Sequence, residues 1–235
     1  MPVASTKADL SAIERVASAL RQEITSGVLE PGTRLRDHEL AERYQVSRNT
    51  LRDAVRRLEV AGLVDFRRNA GGTVRTMNAS DIKEIYAVRR ALELSGVRAS
   101  PTATAAQFAN MNAAVDAVTI EAQDEVRTAR ASGLAFHKAV VAFNSSEQID
   151  RFFDNILAQM RLAFNWLPMQ VGEAASWHAR DKAIADLIVA GKQEEAAAAL
   201  AEYLNDSEAR LVSGFSAKTP AEPTGSRLPA FSSQP

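Results

Sequence analysis

The sequence predicts a mainly α protein in two parts: an N-terminal winged helix-turn-helix, α with a small β wing, followed by an all-α antiparallel helical bundle. Three observations predict it. Between residues 37 and 76, two short helical patterns are joined by a tight turn and followed by an apolar strand, a basic Gly-containing tip and a second strand. From residue 80 to about 215 the apolar spacing is helical almost throughout, broken at Ser100-Pro101, Asn144-Ser145-Ser146, Pro168 and Gly191. No alternating, period-two run appears in that second stretch.

The elements follow in order. Residues 1–9 read as a mobile arm. Ile13, Val16, Ala17, Leu20 and Ile24 share one face of a helix over 10–26, which Gly27 stops before Pro31-Gly32 turns the chain. Asp37 is expected to cap the next helix, with Glu39 in its first turn, and Ser47 to cap the one after. That helix carries Leu51, Ala54, Val55 and Leu58 on one face and Arg48, Arg52 and Arg56 on the other. Gly62 ends it and Leu63-Val64 starts a strand. Arg67-Arg68-Asn69-Ala70-Gly71-Gly72 reads as the turn, with Thr73-Val74 starting the return strand. Asn78 or Ser80 caps the following helix. Further helices are expected at about 80–99, 102–120, 122–145, 147–168, 174–190 and 193–214, joined by connections short enough for antiparallel packing. The expected boundaries are 10–76 for a DNA-binding domain, 77–80 for a hinge, 81–215 for an effector-binding and dimerisation domain, and 216–235 for a disordered tail with four Pro and four Ser.

Composition excludes several classes. The chain has no cysteine, so it has neither disulfides nor thiol chemistry. No apolar run reaches membrane-spanning length, and Asp9 and Glu14 interrupt the N-terminus as a signal peptide, so the expected location is the cytoplasm. The net charge of −1 gives little hint of nucleic acid, but its distribution does. Residues 1–78 hold 13 Lys and Arg against 10 Asp and Glu, and Arg48 to Arg75 hold seven Arg against three acids. An amphipathic helix with an arginine stripe and Ser47, Asn49 and Thr50 at its start suits a DNA major groove.

Residues 12–76 resemble the winged-helix domain of the GntR family of bacterial transcription regulators. The resemblance runs through Leu20-Arg21-Gln22-Glu23-Ile24, Gly27 to Leu35, Glu39-Leu40-Ala41, Val46-Ser47-Arg48, Leu51-Arg52-Asp53-Ala54 and Leu58 to Val64. It implies DNA contacts at Ser47, Arg48, Asn49, Thr50 and Arg52, and on the wing at Gly71 and Gly72. Arg67 and Arg68 supply positive charge there. A further family contact, often Arg, falls on His38 in this chain. The second part is similar to the FCD-type effector domain of the FadR-like subgroup. Tyr86 to Glu93, Phe136-His137 and Ile184 to Lys192 carry that similarity.

The FCD resemblance implies a divalent metal held by one Asp and three His, which helps bind a small organic acid. The carboxylate belongs four residues before His137, where this chain has Gly133. The other two His positions hold Asp181 and Tyr203. No cofactor or metal is therefore expected; if a metal binds, His137 and Asp181 are its ligands. The expected effector is a carboxylate held by Arg89, His137, Arg161, Asp181 and Tyr203. Taken singly, Arg89 and Arg161 read as solvated or ion-paired arginines and His137 as a packed histidine. The expected function is a repressor that binds an inverted-repeat operator as a homodimer and is released by a small organic acid. An enzyme using His137, His178 and Asp181 is the rival reading, without a nucleophile motif, phosphate loop or compact metal motif to support it. An architectural DNA binder would not need so large a helical domain.

Overall fold

The computed structural model describes residues 11–67, 71–117, 123–167 and 171–217. The expected N-terminal arm and most of the expected C-terminal tail lie outside them. By backbone contacts the chain divides into two compact units. One holds the residues up to Met77 together with Arg161–Trp166; the other begins at Asn78.

In the first unit, helix α1 (Ala12–Thr25) starts at a capping box. Ser11 accepts from the Glu14 amide, and Glu14 accepts from the Ser11 amide at 2.9 Å. It buries Val16, Leu20 and Ile24, one turn apart. Strand β1 (Arg34–Leu35) precedes α2 (Asp37–Arg43) and α3 (Arg48–Val60). The expected cap by Asp37 does not form: Asp37 is already the first helical residue, and the Arg36 side chain at the cap position bonds Glu39 rather than a backbone amide. Asp37 is drawn instead to an arginine on α3. Ser47 does cap α3, its Oγ accepting from the Thr50 amide at 3.1 Å. At the far end Gly62 adopts φ +72° while the Leu63 amide donates to Leu58 at 2.9 Å, so the left-handed residue closes the helix as expected.

The wing is a three-stranded antiparallel sheet in the order β1, β3 (Gly71–Val74), β2 (Val64–Arg67). Two expectations change here. Arg67, Gly71 and Gly72 belong to strands rather than to the turn, because the ladder continues through the pairs Phe66–Gly72 and Arg67–Gly71. β1 was not anticipated: two residues are too short for any periodicity, and only the Leu35–Gly72 pairing makes them a strand.

From Asn78 on, the described residues are helical: α4 (Ala79–Ala99), α5 (Ala105–Asp116), α6 (Gln123–Ala142), α7 (Glu147–Trp166), α8 (Val171–Val189) and α9 (Gln193–Ala217), all in the second unit except Arg161–Trp166 at the end of α7. Asn78 caps α4, accepting from the Ser80 and Asp81 amides. α5 is shorter than expected because Pro101 sits in a separate 3-10 turn, Ser100–Thr102, and Thr104 caps a fresh helix. α4 packs against α9 and α6, and α8 packs against α5, α6 and α9. α4 buries Ile82, Ile85, Tyr86, Arg89, Glu93, Gly96 and Val97, so its inward stripe includes two charged residues.

Candidate DNA interface and effector site

The outer face of α3 is exposed at Ser47, Arg48, Asn49, Arg52 and Arg56, while Leu51, Ala54, Val55 and Leu58 are buried. The expected stripe is therefore accessible. Its members differ in what holds them. Arg48 has no carboxylate partner among the described residues. Arg56 lies 3.7 Å from Asp53, and Arg57 lies 3.4 Å from Glu14. Arg52 donates from Nε to Asp37 at 2.7 Å. The Ser47 and Thr50 hydroxyls are 2.8 Å apart, so both are engaged in the cap. His38 is well exposed on α2, 3.9 Å from Glu42.

The wing glycines have different reasons to be glycine. Gly71 adopts φ +80°, a conformation costly for other residues. Gly72 is in the central strand, and a Cβ there would lie 2.9 Å from Val55 Cγ1 and 3.2 Å from Val64 Cγ1. Gly72 is buried and its backbone pairs on both sides, so packing accounts for it. Arg68 and the Arg67 side chain lie outside what the structure describes.

In the second unit, α4, α6, α8 and α9 bring Arg89, Glu93, His137, Asp181 and Tyr203 together, all buried. Arg89 Nε donates to Glu93 Oε1 at 2.7 Å, and His137 Nδ1 lies 2.7 Å from Glu93 Oε2. Burial pushes the Glu93 carboxyl up, but Arg89 and His137 outweigh it, and it ends below its usual range. An ionised Glu93 accepts the Nδ1 hydrogen, which leaves Nε2 as the outward nitrogen of His137. Nε2 stands 3.7 Å from Asp181 Oδ1, beyond hydrogen-bond reach. Burial pushes the Asp181 carboxyl up to about 6 against the opposing pull of His137, a hydrogen bond from Tyr203, and Arg89. Burial and Asp181 together raise the Tyr203 phenol well above its ordinary range.

Three buried polar atoms in this cluster have no hydrogen-bond partner among the described residues: Arg89 Nη2, His137 Nε2 and Asp181 Oδ1. Aromatic rings wall the cluster. Tyr203 lies 5.0 Å from the His137 ring and 4.8 Å from Trp177, and Arg180 stacks over both Trp177 and Tyr203.

Four of the five expected effector residues therefore meet. Arg161 does not: it is only partly buried and groups with the first unit. His178 is also partly buried; burial and then Lys182 push its imidazole down against the opposing pull of Asp116, and it does not join the cluster. Sequence reasoning missed Glu93, whose signal was its place four residues after Arg89 on one helix face. The donor set does not fit the metal centre that the FCD domain implies. One imidazole nitrogen and one carboxylate converge; Glu93 is committed to Arg89 and to the other nitrogen; and Gly133 leaves Asp181 Oδ2 facing a bare backbone. Among the described residues, no group of three or more His, Cys, Asp or Glu is arranged to hold a metal ion.

A helix-turn-helix with a wing and an exposed arginine stripe, combined with a helical unit enclosing polar groups, defines a DNA-binding transcription regulator. Residues 12–74 match the model for bacterial regulatory proteins of the gntR family, and residues 84–206 match the FCD domain. The chain belongs to the GntR family and carries an FCD domain. It is 26% identical over 215 residues to an uncharacterized HTH-type transcriptional regulator, BphR, of Paraburkholderia xenovorans (strain LB400), covering 88% of this chain and 86% of that one. Over 79 residues it is 38% identical to the gluconate operon transcriptional repressor of Bacillus subtilis (strain 168), covering 34% of this chain and 32% of that one. The crystal structure of a GntR transcriptional regulator from Rhodococcus sp. RHA1 superposes with a TM-score of 0.75 at 30% identity, covering 87% of this chain and 99% of that one. Among the described residues, no helix is long and apolar enough to cross a membrane.

Proposed function

We propose that the protein is a cytoplasmic repressor that binds an inverted-repeat operator as a homodimer and releases it when a small carboxylate enters the helical domain. The observation that carries this reading is the set of three unpartnered buried polar atoms, Arg89 Nη2, His137 Nε2 and Asp181 Oδ1. Leaving such atoms unpaired is costly, and a ligand with complementary groups relieves that cost. Arg89 offers a charge-assisted donor for a carboxylate, and Asp181 with Tyr203 offers partners for a neighbouring hydroxyl. Regulation follows if the ligand favours one arrangement of the dimer's DNA-binding domains over the other. The α3 stripe of Ser47, Arg48, Asn49, Thr50 and Arg52 reads the major groove, helped by His38. The wing, with Arg67, Arg68, Gly71 and Gly72, lies against flanking phosphates or the minor groove. The kinship with a gluconate operon repressor supports the repressing sense.

Occupancy of the site needs no metal in this reading, because Arg89 supplies the positive charge that a cation would bring. A thermal-shift screen of sugar acids, hydroxy acids and dicarboxylates, run with and without chelator, tests it. The expected result is stabilisation by one class, unchanged by chelator and lost in the paired variant Arg89→Met with Glu93→Leu, which strands no buried charge. Elemental analysis giving about one equivalent of tightly held zinc, nickel or manganese, lost in His137→Ala, would overturn the metal-free part. Light scattering that finds a monomer at micromolar concentration would overturn the dimer.

A further inference from the structure

The arginines of α3 are not equivalent. Arg48 has no carboxylate partner among the described residues, whereas Arg52 is hydrogen-bonded across the motif to Asp37 at 2.7 Å. The partner is itself fixed. Asp37 opens α2, whose Leu40 and Ala41 are buried; Arg43 at the other end of α2 donates to both Glu23 oxygens, at 3.1 and 2.5 Å. Tyr44 donates to the same carboxylate at 2.9 Å. The Asp37 side chain is 21% exposed and that of Arg52 is 53% exposed, so the acid sits behind and the guanidinium in front.

The contact uses Nε. Both Nη atoms of Arg52 have no protein partner among the described residues, and they form the end of the planar fork that matches O6 and N7 of guanine. A carboxylate behind a guanidinium has two effects. It removes rotamer freedom before DNA arrives, so less is lost on contact. It also offsets part of the charge that would otherwise attract any phosphate.

From this pairing we infer that Asp37 is a positioning residue, which turns Arg52 from a general phosphate anchor into a reader of one guanine in each half-site. The inference rests on the reading of α3 as the DNA-facing helix. It assigns Asp37 opposite effects on two kinds of binding. Loss of its charge strengthens attachment to arbitrary duplex and weakens recognition of the preferred sequence.

The test uses the full-length protein and duplexes with a randomised core. Sequences enriched by the wild type define the preferred site, and every single-base variant of that site is then measured by fluorescence anisotropy, beside a scrambled duplex. For Asp37→Asn the expected result is about a tenfold loss of discrimination at one G·C pair per half-site, with affinity for scrambled duplex equal or higher. Asp37→Glu, which keeps the carboxylate, is expected to restore most of that discrimination. Arg52→Ala should flatten the same base pair. Circular dichroism melts of each variant show that the fold is retained. An unaltered base profile in Asp37→Asn, or an equal gain in affinity for both duplexes, would overturn the positioning role while leaving α3 as the DNA-facing helix. A wild type that enriches no sequence would overturn both.

Discussion

Gly96 on α4 and Val140 on α6 bring two helix backbones into direct contact. A Cβ at Gly96 would overlap the Val140 carbonyl group and lie 3.2 Å from Val141 Cα. Backbone cannot step aside as a side-chain tip can. Gly96→Ala is therefore expected to destabilise the helical unit by about 3 kcal/mol, although Ala is the better helix former. Urea unfolding followed by circular dichroism measures this, and an increase in stability would show that α4 and α6 do not pack as described.

Glu93 joins Arg89 to His137, so neutralising it strands a buried guanidinium. Glu93→Gln is expected to cost about 3–5 kcal/mol, whereas Arg89→Met combined with Glu93→Leu should cost much less, since no charge is then left unpaired. Comparing denaturant midpoints of the single and double variants checks this, and equal losses would contradict it.

Asp181 gives a signed pH prediction. Its carboxyl is raised to about 6 from an ordinary value near 3.8, so the folded state holds the proton more tightly than the unfolded chain. This favours folding below pH 4, fades between pH 4 and 6, and leaves the wild type at a disadvantage above pH 6. In chelator-treated protein, Asp181→Asn should gain about 2 kcal/mol relative to wild type between pH 4 and pH 7.5. A difference that does not change with pH would mean that Asp181 titrates normally.

The wing offers a test of local geometry. Gly72→Ala is expected to cost about 1–3 kcal/mol by crowding Val55 and Val64. Gly71→Ala should cost about 1–2 kcal/mol through its left-handed backbone. Replacing Arg67 and Arg68 with Ala should weaken binding to all duplexes and flatten its salt dependence. An unchanged salt slope would place the wing away from DNA.

These residues also show what was legible in the sequence. The two faces of α3, the Ser47 and Asn78 caps and the end at Gly62 were readable because each depends on neighbours within about four residues. Asp37 misled because an acid before a helix has the same local signature whether it caps or reaches away. Its partner is fifteen residues on, and only the turn between α2 and α3 brings them together. β1 was hidden for the same reason, since its ladder is with a strand nearly forty residues later. Matching by position singled out Arg89, His137, Asp181 and Tyr203, which lie together in one buried cluster. It also singled out Arg161, which is not part of that cluster, because helical spacing does not reveal which side of a long helix faces inward. Glu93 was overlooked because an Arg and a Glu four residues apart on a helix are usually an exposed pair, and here both are buried.

The buried Arg89–Glu93 pair also constrains how this protein can diverge. Changing either residue alone strands a charge, while changing both to apolar side chains does not. A lineage leaving this arrangement must cross a poorly folding intermediate or alter two codons almost together, and His137 loses its anchor in the same event. Descendants should therefore inherit the three residues as a block, and a chain that has lost one should have rebuilt the whole site for a different ligand.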